Sequence, residues 1–185
     1  KLAYEPEAAV FHYHGIHQNG DMERCTNVVR ILQELHGDYA NKSIDAEKLN
    51  IIALIPIKGA MQQLCGRPLL AYTIERALKS KYISSVIVST DNPELVKIAE
   101  ENGAKAPFLR DPSLSEKGVD LAQVLKYSLS KVEAQGILPD LIVSLEATFP
   151  FRPKGLLNDM ILKLVEKGFD SVIAARRENK GIWRE

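Results

Sequence analysis

Short apolar segments alternate with amphipathic helical patterns in the second part of the chain, and this alternation constrains the fold more than any other feature. The apolar segments, at residues 51–57, 85–89, 141–145 and 171–175, are bounded by polar or turn residues and predict β-strands. Between them, apolar residues recur at helical spacing in four stripes: Leu70, Ile74, Ala77 and Leu78; Leu95, Ile98 and Ala99; Leu121, Val124, Leu125, Leu129 and Val132; Leu157, Met160, Ile161, Leu164 and Val165. Alternating strands and helices predict an α/β fold, a three-layer sandwich in which helices cover both faces of a mostly parallel sheet.

Residues that favour helix ends agree with these assignments. Asn92 followed by Pro93 suits an N-cap and a first helical position. Gly103, Gly136 and Gly168 each follow a predicted helix and suit its C-terminal end.

The composition of the chain changes near Gly37. Residues 1–37 combine a histidine- and aromatic-rich segment with a helical pattern, and we interpret them as the remnant of a preceding domain. Residues 38–48 are polar and lack a period, which is typical of a linker. Residues 49–185 carry the α/β pattern and are predicted to be the N-terminal part of a domain that continues past Glu185 in a longer protein.

Charge and cysteine content narrow the range of partners. The 24 Lys and Arg residues balance 24 Asp and Glu residues, so no whole-chain field attracts nucleic acid or an anionic membrane. No apolar run approaches the roughly 20 residues of a membrane span. Cys25 and Cys65 match no metal or redox spacing, which favours reduced thiols in a cytoplasmic protein.

The end of the first predicted strand is the best candidate for a binding site. The strand closes on Ile55-Pro56-Ile57-Lys58-Gly59, and an amphipathic helix is predicted to begin at Pro68. Ligands of open α/β sheets bind at the carboxyl ends of the strands, where helix N-termini and free backbone N–H groups favour anions. The sequence therefore predicts a nucleotide or another phosphate as the ligand.

Several fragments carry a resemblance to one enzyme family. They are Ile55-Pro56-Ile57-Lys58-Gly59, Cys65-Gly66-Arg67-Pro68-Leu69-Leu70-Ala71-Tyr72-Thr73-Ile74, Val86-Ile87-Val88-Ser89-Thr90-Asp91, Gly103-Ala104 with Pro107-Phe108-Leu109-Arg110, Asp120, and Leu145-Glu146-Ala147-Thr148-Phe149-Pro150-Phe151-Arg152. In this order, over roughly residues 49–177, the chain resembles the cytidylyltransferases that activate acidic sugars, such as the CMP-N-acetylneuraminate (CMP-sialic acid) synthetases. The resemblance implies a fold of the nucleotide-diphospho-sugar transferase, Rossmann-like type.

In that family the anomeric hydroxyl of the sugar attacks the α-phosphate of CTP, and magnesium-bound pyrophosphate leaves. Fixed positive charge and backbone donors stabilise such a reaction, and the resemblance assigns the catalytic cation to Lys58. The resemblance assigns nucleotide binding to Ile55, Pro56, Lys58, Gly59, Ser89, Asp91 and Arg110. It assigns sugar binding to Glu146, Thr148 and Arg152. It also implies Mg²⁺ as a cofactor and a homodimer.

The chain departs from the family pattern at two places. The usual Gln-Pro-Thr-Ser-Pro motif is replaced from Glu146 onward, and a carboxylate at that position repels an acidic sugar unless it is protonated or paired. The glycine- and lysine-rich first loop is reduced to residues 60–64, which removes donors and positive charge from the triphosphate site. The aspartates that hold magnesium in the family lie beyond Glu185, so no metal ligand is assigned in this chain.

The N-terminal segment carries a separate and shorter resemblance. Residues 4–15 resemble the closing part of a family-2-type glycosyltransferase, in which a histidine helps to bind the metal of the nucleotide-sugar. His12 or His14 would be that histidine, and a zinc site with His17 is the alternative. The first interpretation predicts a fusion of a glycosyltransferase to a sugar-activating enzyme.

Two alternatives to the synthetase remain open from the sequence. The first is a non-catalytic domain that binds a nucleotide or a nucleotide-sugar, and the second is a phosphosugar nucleotidyltransferase that uses another NTP. The individual residues also have structural alternatives: Lys58 as a surface lysine, Arg110 in a surface ion pair, and Asp91 as a helix cap.

Overall fold

The computed structural model describes residues 44–175. Its strands and helices are β1 (Ile51–Pro56), β2 (Gln63–Leu64), β3 (Arg67–Pro68), α1 (Leu69–Leu78), β4 (Ser85–Ser89), α2 (Pro93–Glu101), α3 (Leu121–Glu133), β5 (Leu141–Ser144) and α4 (Leu156–Lys167). Residues 46–159 form one compact unit, which contains all five strands. The described part of a second unit comprises residues 44–45 and 160–175, and the latter range contains the rest of α4 and an irregular stretch.

Several predictions concern residues outside the described range. They are the domain remnant at residues 1–37, the linker up to residue 43, the histidine sites at His12, His14 and His17, and the thiol of Cys25. In the described end of the predicted linker, Ala46–Lys48 form a 3-10 helix and the Ala46 side chain is buried.

The central feature of the fold is a parallel sheet with the strand order β4-β1-β5. The register of β1 with β4 runs from Ile52 opposite Ser85 to Pro56 opposite Ser89, and β5 pairs with the other edge of β1. All residues of β1 from Ile51 to Ile55 are fully buried. A central parallel strand is covered on both faces, which is why its sequence is a continuous apolar run.

Helices cover both faces of this sheet. On one face, Ala53 and Ile55 of β1 pack in a cluster with Leu70 and Ile74 of α1, Leu95 of α2 and other apolar residues. On the other face, Ile52 and Leu54 of β1 pack with Ile87 of β4 and Val132 of α3. The predicted α/β three-layer sandwich with a parallel sheet is therefore confirmed.

The outer edge of β4 is covered by the segment that follows α2. The Lys105 N–H donates to the Val86 carbonyl at 2.8 Å, and the Val88 N–H donates to the Lys105 carbonyl at 2.8 Å. Further along, the Arg110 N–H donates to the Thr90 carbonyl at 2.8 Å. This pairing carries Arg110 to the carboxyl end of the sheet.

The predicted helix ends are found at the expected residues. The Asn92 side chain accepts a hydrogen bond from the Glu94 N–H at 2.9 Å, with Pro93 in the first turn of α2. The Asp120 side chain accepts one from the Ala122 N–H at the start of α3, at 3.4 Å. Gly103 follows α2 with a φ of +86°, in the left-handed region that glycine adopts without strain.

Four sequence-based assignments differ from the structure. The predicted strands at residues 51–57 and 141–145 each end one residue earlier, at Pro56 and Ser144. The α1 helix begins at Leu69 and not at Pro68, because Pro68 pairs with Gln63 in the short β2–β3 hairpin. Residues 171–175 were predicted to form a strand but contain none, and the Ile173 side chain is 81% exposed. An apolar segment becomes a strand only when a neighbouring strand accepts its backbone hydrogen bonds.

Two further observations concern the surface of the described residues. In residues 44–175, no helix is long and apolar enough to cross a membrane. The Cys65 thiol is free and exposed. It lies in the hairpin turn, where Cys65 and Gly66 have φ values of 52° and 73°, as two-residue turns of type I′ require.

We expect Leu54→Ala to lower the free energy of unfolding by about 2–5 kcal/mol, because it opens a cavity in a fully buried strand. The measurement is chemical unfolding in urea followed by circular dichroism. Leu138→Ala is the matched control, since that side chain is 69% exposed and its truncation is expected to cost about 0.5 kcal/mol or less. Equal losses in the two variants would contradict the assignment of β1 as the core strand.

Candidate functional site

A cleft of about 330 Å³ lies at the carboxyl ends of β1 and β5. Its lining comes from the end of β1 and the following loop, from the first turns of α1 and α3, from α2 and from the turn after β5. The lining residues are Pro56, Ile57, Lys58, Ala60, Met61, Gln62, Leu69, Leu70, Leu95, Leu121, Glu146, Ala147 and Thr148. This is the edge of the sheet at which the sequence predicted a phosphate site.

Lys58 places a positive charge at this cleft. Its Nζ donates to the backbone carbonyls of Ser115, at 3.2 Å, and Glu116, at 3.3 Å. Within residues 44–175 no carboxylate pairs with Lys58. Because neutral carbonyls hold the ammonium group, its charge is not cancelled and favours an anion in the cleft.

The residue after Lys58 fixes the path of the loop. Gly59 has a φ of +82°, a conformation that residues with a Cβ rarely adopt. Its carbonyl accepts a hydrogen bond from Asn92 Nδ2 at 3.1 Å, which ties the loop after β1 to the start of α2. A glycine is thus needed here for backbone geometry, and a Cβ at this position would meet open space.

Arg110 lies below the cleft and is only 2% exposed. Its Nη1 donates to the Ser89 carbonyl at 2.9 Å, and its Nη2 donates to the Ile57 carbonyl at 3.0 Å. Nη2 also donates to Ser115 Oγ at 2.7 Å. One side chain therefore joins the ends of β1 and β4 to the 3-10 helix at Pro112–Ser115.

The charge of Arg110 is only loosely compensated. Asp91 Oδ1 lies 3.5 Å from Arg110 Nη2, and neither Asp91 Oδ1 nor Arg110 Nε has a hydrogen-bond partner in the described structure although both atoms are buried. Burial lowers the pKa of the Arg110 guanidinium, and the neighbouring Asp91 carboxylate opposes that shift. The structural alternative of a surface ion pair is wrong, because the guanidinium is buried.

Ser89 is also buried beneath the cleft. Its hydroxyl shares a hydrogen bond of 2.7 Å with the hydroxyl of Ser128 in α3, and its carbonyl accepts from Arg110. Neither Ser89 nor Arg110 lines the cleft. Their contacts with a nucleotide therefore stay predictions, and the contacts that the structure describes hold the sheet edge together.

The turn after β5 supplies the opposite wall of the cleft. Thr148 Oγ1 donates to Glu146 Oε2 at 3.3 Å. Arg152 Nη2 donates to the Glu146 carbonyl at 2.7 Å, and its Nη1 donates to Thr73 Oγ1 at 3.2 Å. Burial lowers the pKa of Arg152, and its guanidinium supports the backbone of this turn from outside the cleft.

The cleft brings together only part of the predicted set. Pro56 and Lys58 from the nucleotide group line it, together with Glu146 and Thr148 from the sugar group. The predicted residues that do not line it are Ile55, Gly59, Ser89, Asp91, Arg110 and Arg152. Sequence reasoning missed Met61, Gln62, Leu69 and Leu121. The first two lie in the loop that was singled out as shortened, so its position between strand and helix was the signal that could have found them.

The described residues do not form a complete metal site. In residues 44–175, no three His, Cys, Asp or Glu side chains come together in a way that could hold a metal ion. Of the carboxylates near the cleft, Glu146 lines it and accepts from Thr148, whereas Asp91 does not line it and lies beside Arg110. Because Mg²⁺ binds through one or two carboxylates together with phosphate oxygens and water, it stays an expectation from the family.

Comparison with known proteins identifies a matching family and several relatives. The family model described as cytidylyltransferase matches residues 56–180. The chain is 30% identical over 132 residues to the pseudaminic acid cytidylyltransferase of Campylobacter jejuni, an alignment that covers 67% of this chain and 57% of the relative. It is 31% identical over 132 residues to N-acylneuraminate cytidylyltransferase A of Danio rerio, covering 71% of this chain and 29% of the relative.

Among solved structures, a CMP:2-keto-3-deoxy-manno-octonic acid synthetase complexed with CTP aligns with a TM-score of 0.49 at 20% identity. That alignment covers 62% of this chain and 47% of the other. The chain spans 57% of the length of the Campylobacter relative, and less of the Danio one.

We expect Arg110→Met to lower the free energy of unfolding by about 3–5 kcal/mol, because it removes one partner of a buried charge pair together with three hydrogen bonds, to the Ser89 carbonyl, the Ile57 carbonyl and Ser115 Oγ. Arg76→Met is the matched control. Arg76 is partly buried but forms no ion pair within residues 44–175, so about 0.5 kcal/mol or less is expected. Thermal and urea unfolding measure both variants, and a mild loss for Arg110→Met would show that the sheet edge does not depend on this side chain.

Proposed function

Because the chain belongs to the cytidylyltransferase family, we propose that its cleft serves the transfer of a cytidylyl group from CTP to an acidic sugar of the sialic acid type. The observation that carries this proposal is the ammonium group of Lys58 at the cleft, two residues after the central parallel strand, which has no carboxylate partner within residues 44–175. The names of the relatives support the substrate class, since they include enzymes for pseudaminic acid and for N-acylneuraminate.

In the proposed reaction the anomeric oxygen of the sugar bonds to the α-phosphorus of CTP. The bond from that phosphorus to the bridging oxygen breaks, pyrophosphate leaves with the electron pair, and the hydroxyl proton passes to water. Catalysis of such a step depends mostly on position and electrostatic stabilisation. The role of this chain is therefore to hold the triphosphate and the sugar in line and to stabilise the charge that develops.

We assign the electrostatic part of this role to Lys58. Its ammonium group is bonded to two backbone carbonyls, of Ser115 and Glu116, each at more than 3 Å. Phosphate oxygens are charged acceptors and form shorter and stronger hydrogen bonds with an ammonium group than carbonyls do. On CTP binding, Lys58 would exchange these carbonyls for phosphate oxygens and release its hold on the segment around Ser115.

The other nucleotide residues are proposed to form the frame of the pocket. Pro56 lines the cleft, and Gly59 gives the loop a backbone path without a side chain. Ile55 anchors the end of β1 in the core. We propose that Ser89, Asp91 and Arg110 act from below the cleft, because they fix the ends of β1 and β4 against the segment that Lys58 contacts. Together with Ile55, these three residues complete the assigned nucleotide group.

The sugar is proposed to bind against the turn after β5. Glu146 and Thr148 face the cleft, whereas Arg152 holds the Glu146 carbonyl. The Glu146 side chain shares a hydrogen bond with Thr148 and has no ion pair within residues 44–175. The Arg152 guanidinium interacts with its charge without forming a close ion pair. A carboxylate beside an acidic sugar is unfavourable by several kcal/mol when the two charges are desolvated, so this side chain sets a limit on sugar affinity.

A second candidate function is a non-catalytic nucleotide or nucleotide-sugar binder. The observation that favours it is the short first loop, whose last residues are used in the β2–β3 hairpin and contribute no lysine to the cleft. A transferase that uses a base other than cytosine remains a further alternative. Mg²⁺, a homodimer, a fused glycosyltransferase and a cytoplasmic location stay expectations from the resemblance and the thiol content.

The test of the proposed function is pyrophosphate release by the complete natural protein with each NTP and Mg²⁺, with and without sialic acid and its eight-carbon relative. We expect release with CTP only when an acidic sugar is present. Lys58→Ala is expected to lower kcat by about 10²–10³-fold, as the loss of one donor to a developing charge does. Lys97→Ala, at an exposed lysine of α2, is the control and should leave turnover unchanged. Clear CTP binding without release in any combination would favour the non-catalytic alternative.

We also expect Glu146→Gln to lower the KM for the acidic sugar by about tenfold, because it removes a like charge while keeping the shape of the side chain. The KM for CTP should change little. Steady-state kinetics with the sugar varied at saturating CTP measure the effect, and Glu94→Gln at an exposed residue of α2 is the matched control. An unchanged or higher KM would place the sugar carboxylate away from this wall.

A further inference from the structure

A second cavity, of about 510 Å³, lies outside the candidate active site. It is formed by the end of α1, the residue that follows it, and the segment that leads into α4. Its lining residues are Arg76, Lys79, Ser80, Arg152, Pro153, Lys154, Gly155, Leu157 and Asn158. Four of them are cationic and none is acidic, so the lining itself carries only positive charge.

The charge of this cluster is only partly neutralised by the surrounding protein. Lys79 pairs with Glu75, which also binds Arg67 at 2.7 Å. These two cations lower the pKa of Glu75 to about 2, so the carboxylate is ionised at neutral pH. Asp159 is also close, since its Oδ2 lies 3.8 Å from the position that a Cβ on Gly155 would occupy. Glu146 is a third neighbouring carboxylate, since its charge acts on Arg152. Four lining cations against these three carboxylates leave a net positive cavity.

Three of the cations form no close ion pair in the part of the chain that the structure describes, although the charge of Glu146 acts on Arg152. Within residues 44–175, Arg76, Arg152 and Lys154 form no ion pair. The Arg152 guanidinium donates to two neutral acceptors, Thr73 Oγ1 and the Glu146 carbonyl, and burial lowers its pKa. An anion that binds beside a partly desolvated cation stabilises the charged form of that cation.

Asn158 adds a neutral donor at the wall of the cavity. Its Oδ1 accepts from Ser80 Oγ at 2.7 Å and from the Lys81 N–H at 3.0 Å. Because these two bonds fix the oxygen side of the amide, its NH₂ group is left to face another acceptor. Guanidinium forks, an ammonium group and an amide NH₂ together match the several oxygens of a small oxyanion.

We propose that this cavity is a binding site for an oxyanion, held by Arg76, Arg152, Lys154 and the amide of Asn158. The shared chemistry is a group with two or more oxygens and a negative charge. Phosphate and carboxylate compounds both carry such a group, and the experiment below distinguishes them. The cavity shares no lining residue with the cleft at Lys58. Arg152 is common to both proposals, because it also holds the Glu146 carbonyl of the proposed sugar-binding turn.

The test is an NMR titration of the ¹⁵N-labelled full chain at constant ionic strength in a cationic buffer, first with inorganic phosphate and then with acetate. We expect saturable shifts at the backbone amides of Ser80, Gly155 and Asn158. The double variant Arg76→Gln, Lys154→Gln is expected to weaken binding by about tenfold or more, as the loss of charged hydrogen bonds does. The anion that saturates at the lower concentration identifies the class.

Two controls separate this site from other cations. The matched pair Lys97→Gln, Lys105→Gln removes two exposed charges elsewhere and should leave the affinity unchanged. Lys58→Ala should also leave these shifts unchanged, which distinguishes the cavity from the active-site cleft. If the double variant does not fold, Lys154→Gln alone, at an exposed residue, is used. Shifts that never saturate, or equal weakening by the control pair, would overturn the proposal.

Discussion

The carboxyl edge of the sheet depends on the hydrogen bonds that the buried guanidinium of Arg110 donates. It donates to the carbonyls of Ile57 and Ser89, where β1 and β4 end, and to the hydroxyl of Ser115. The Ser89 carbonyl also accepts from the Ile57 N–H at 3.0 Å, and each hydrogen bond from a charged donor contributes about 1.5–3 kcal/mol. The hydrogen bonds of Arg110 therefore hold the loops of the site in place without a ligand.

The segment around Ser115 is held by side chains from two sides. Arg110 binds the side chain of Ser115 from below, while Lys58 binds its carbonyl from the cleft. The first contact is part-buried and the second is exposed, and a hydrogen bond removed from water is electrostatically stronger. A ligand with phosphate groups would compete with the second contact only. This arrangement lets Lys58 change partners without disturbing the sheet edge.

Much of the fold could be predicted because its signals are local. The continuous apolar run of β1, the Asn92-Pro93 start of α2 and the Asp120 cap of α3 each reflect backbone chemistry within a few residues. The predicted strand at residues 171–175 failed because strand formation needs a partner elsewhere in the chain. The pattern and the resemblance also indicated Lys58, Glu146 and Thr148, which follow strands directly and line the cleft.

The sequence by itself determined the order of β1, β4, β5 and the four α-helices, the parallel sheet and the edge at which the cleft lies, because apolar periodicity and helix caps depend on neighbouring residues. It did not indicate the β2–β3 hairpin. Only the tertiary structure decided which polar residues face the cleft. Arg110 and Ser89 turn inward to satisfy buried carbonyls and hydroxyls, and Arg152 contributes to a second, basic cavity. A side chain's partners are set by contacts between residues far apart in the chain, and no local pattern encodes them.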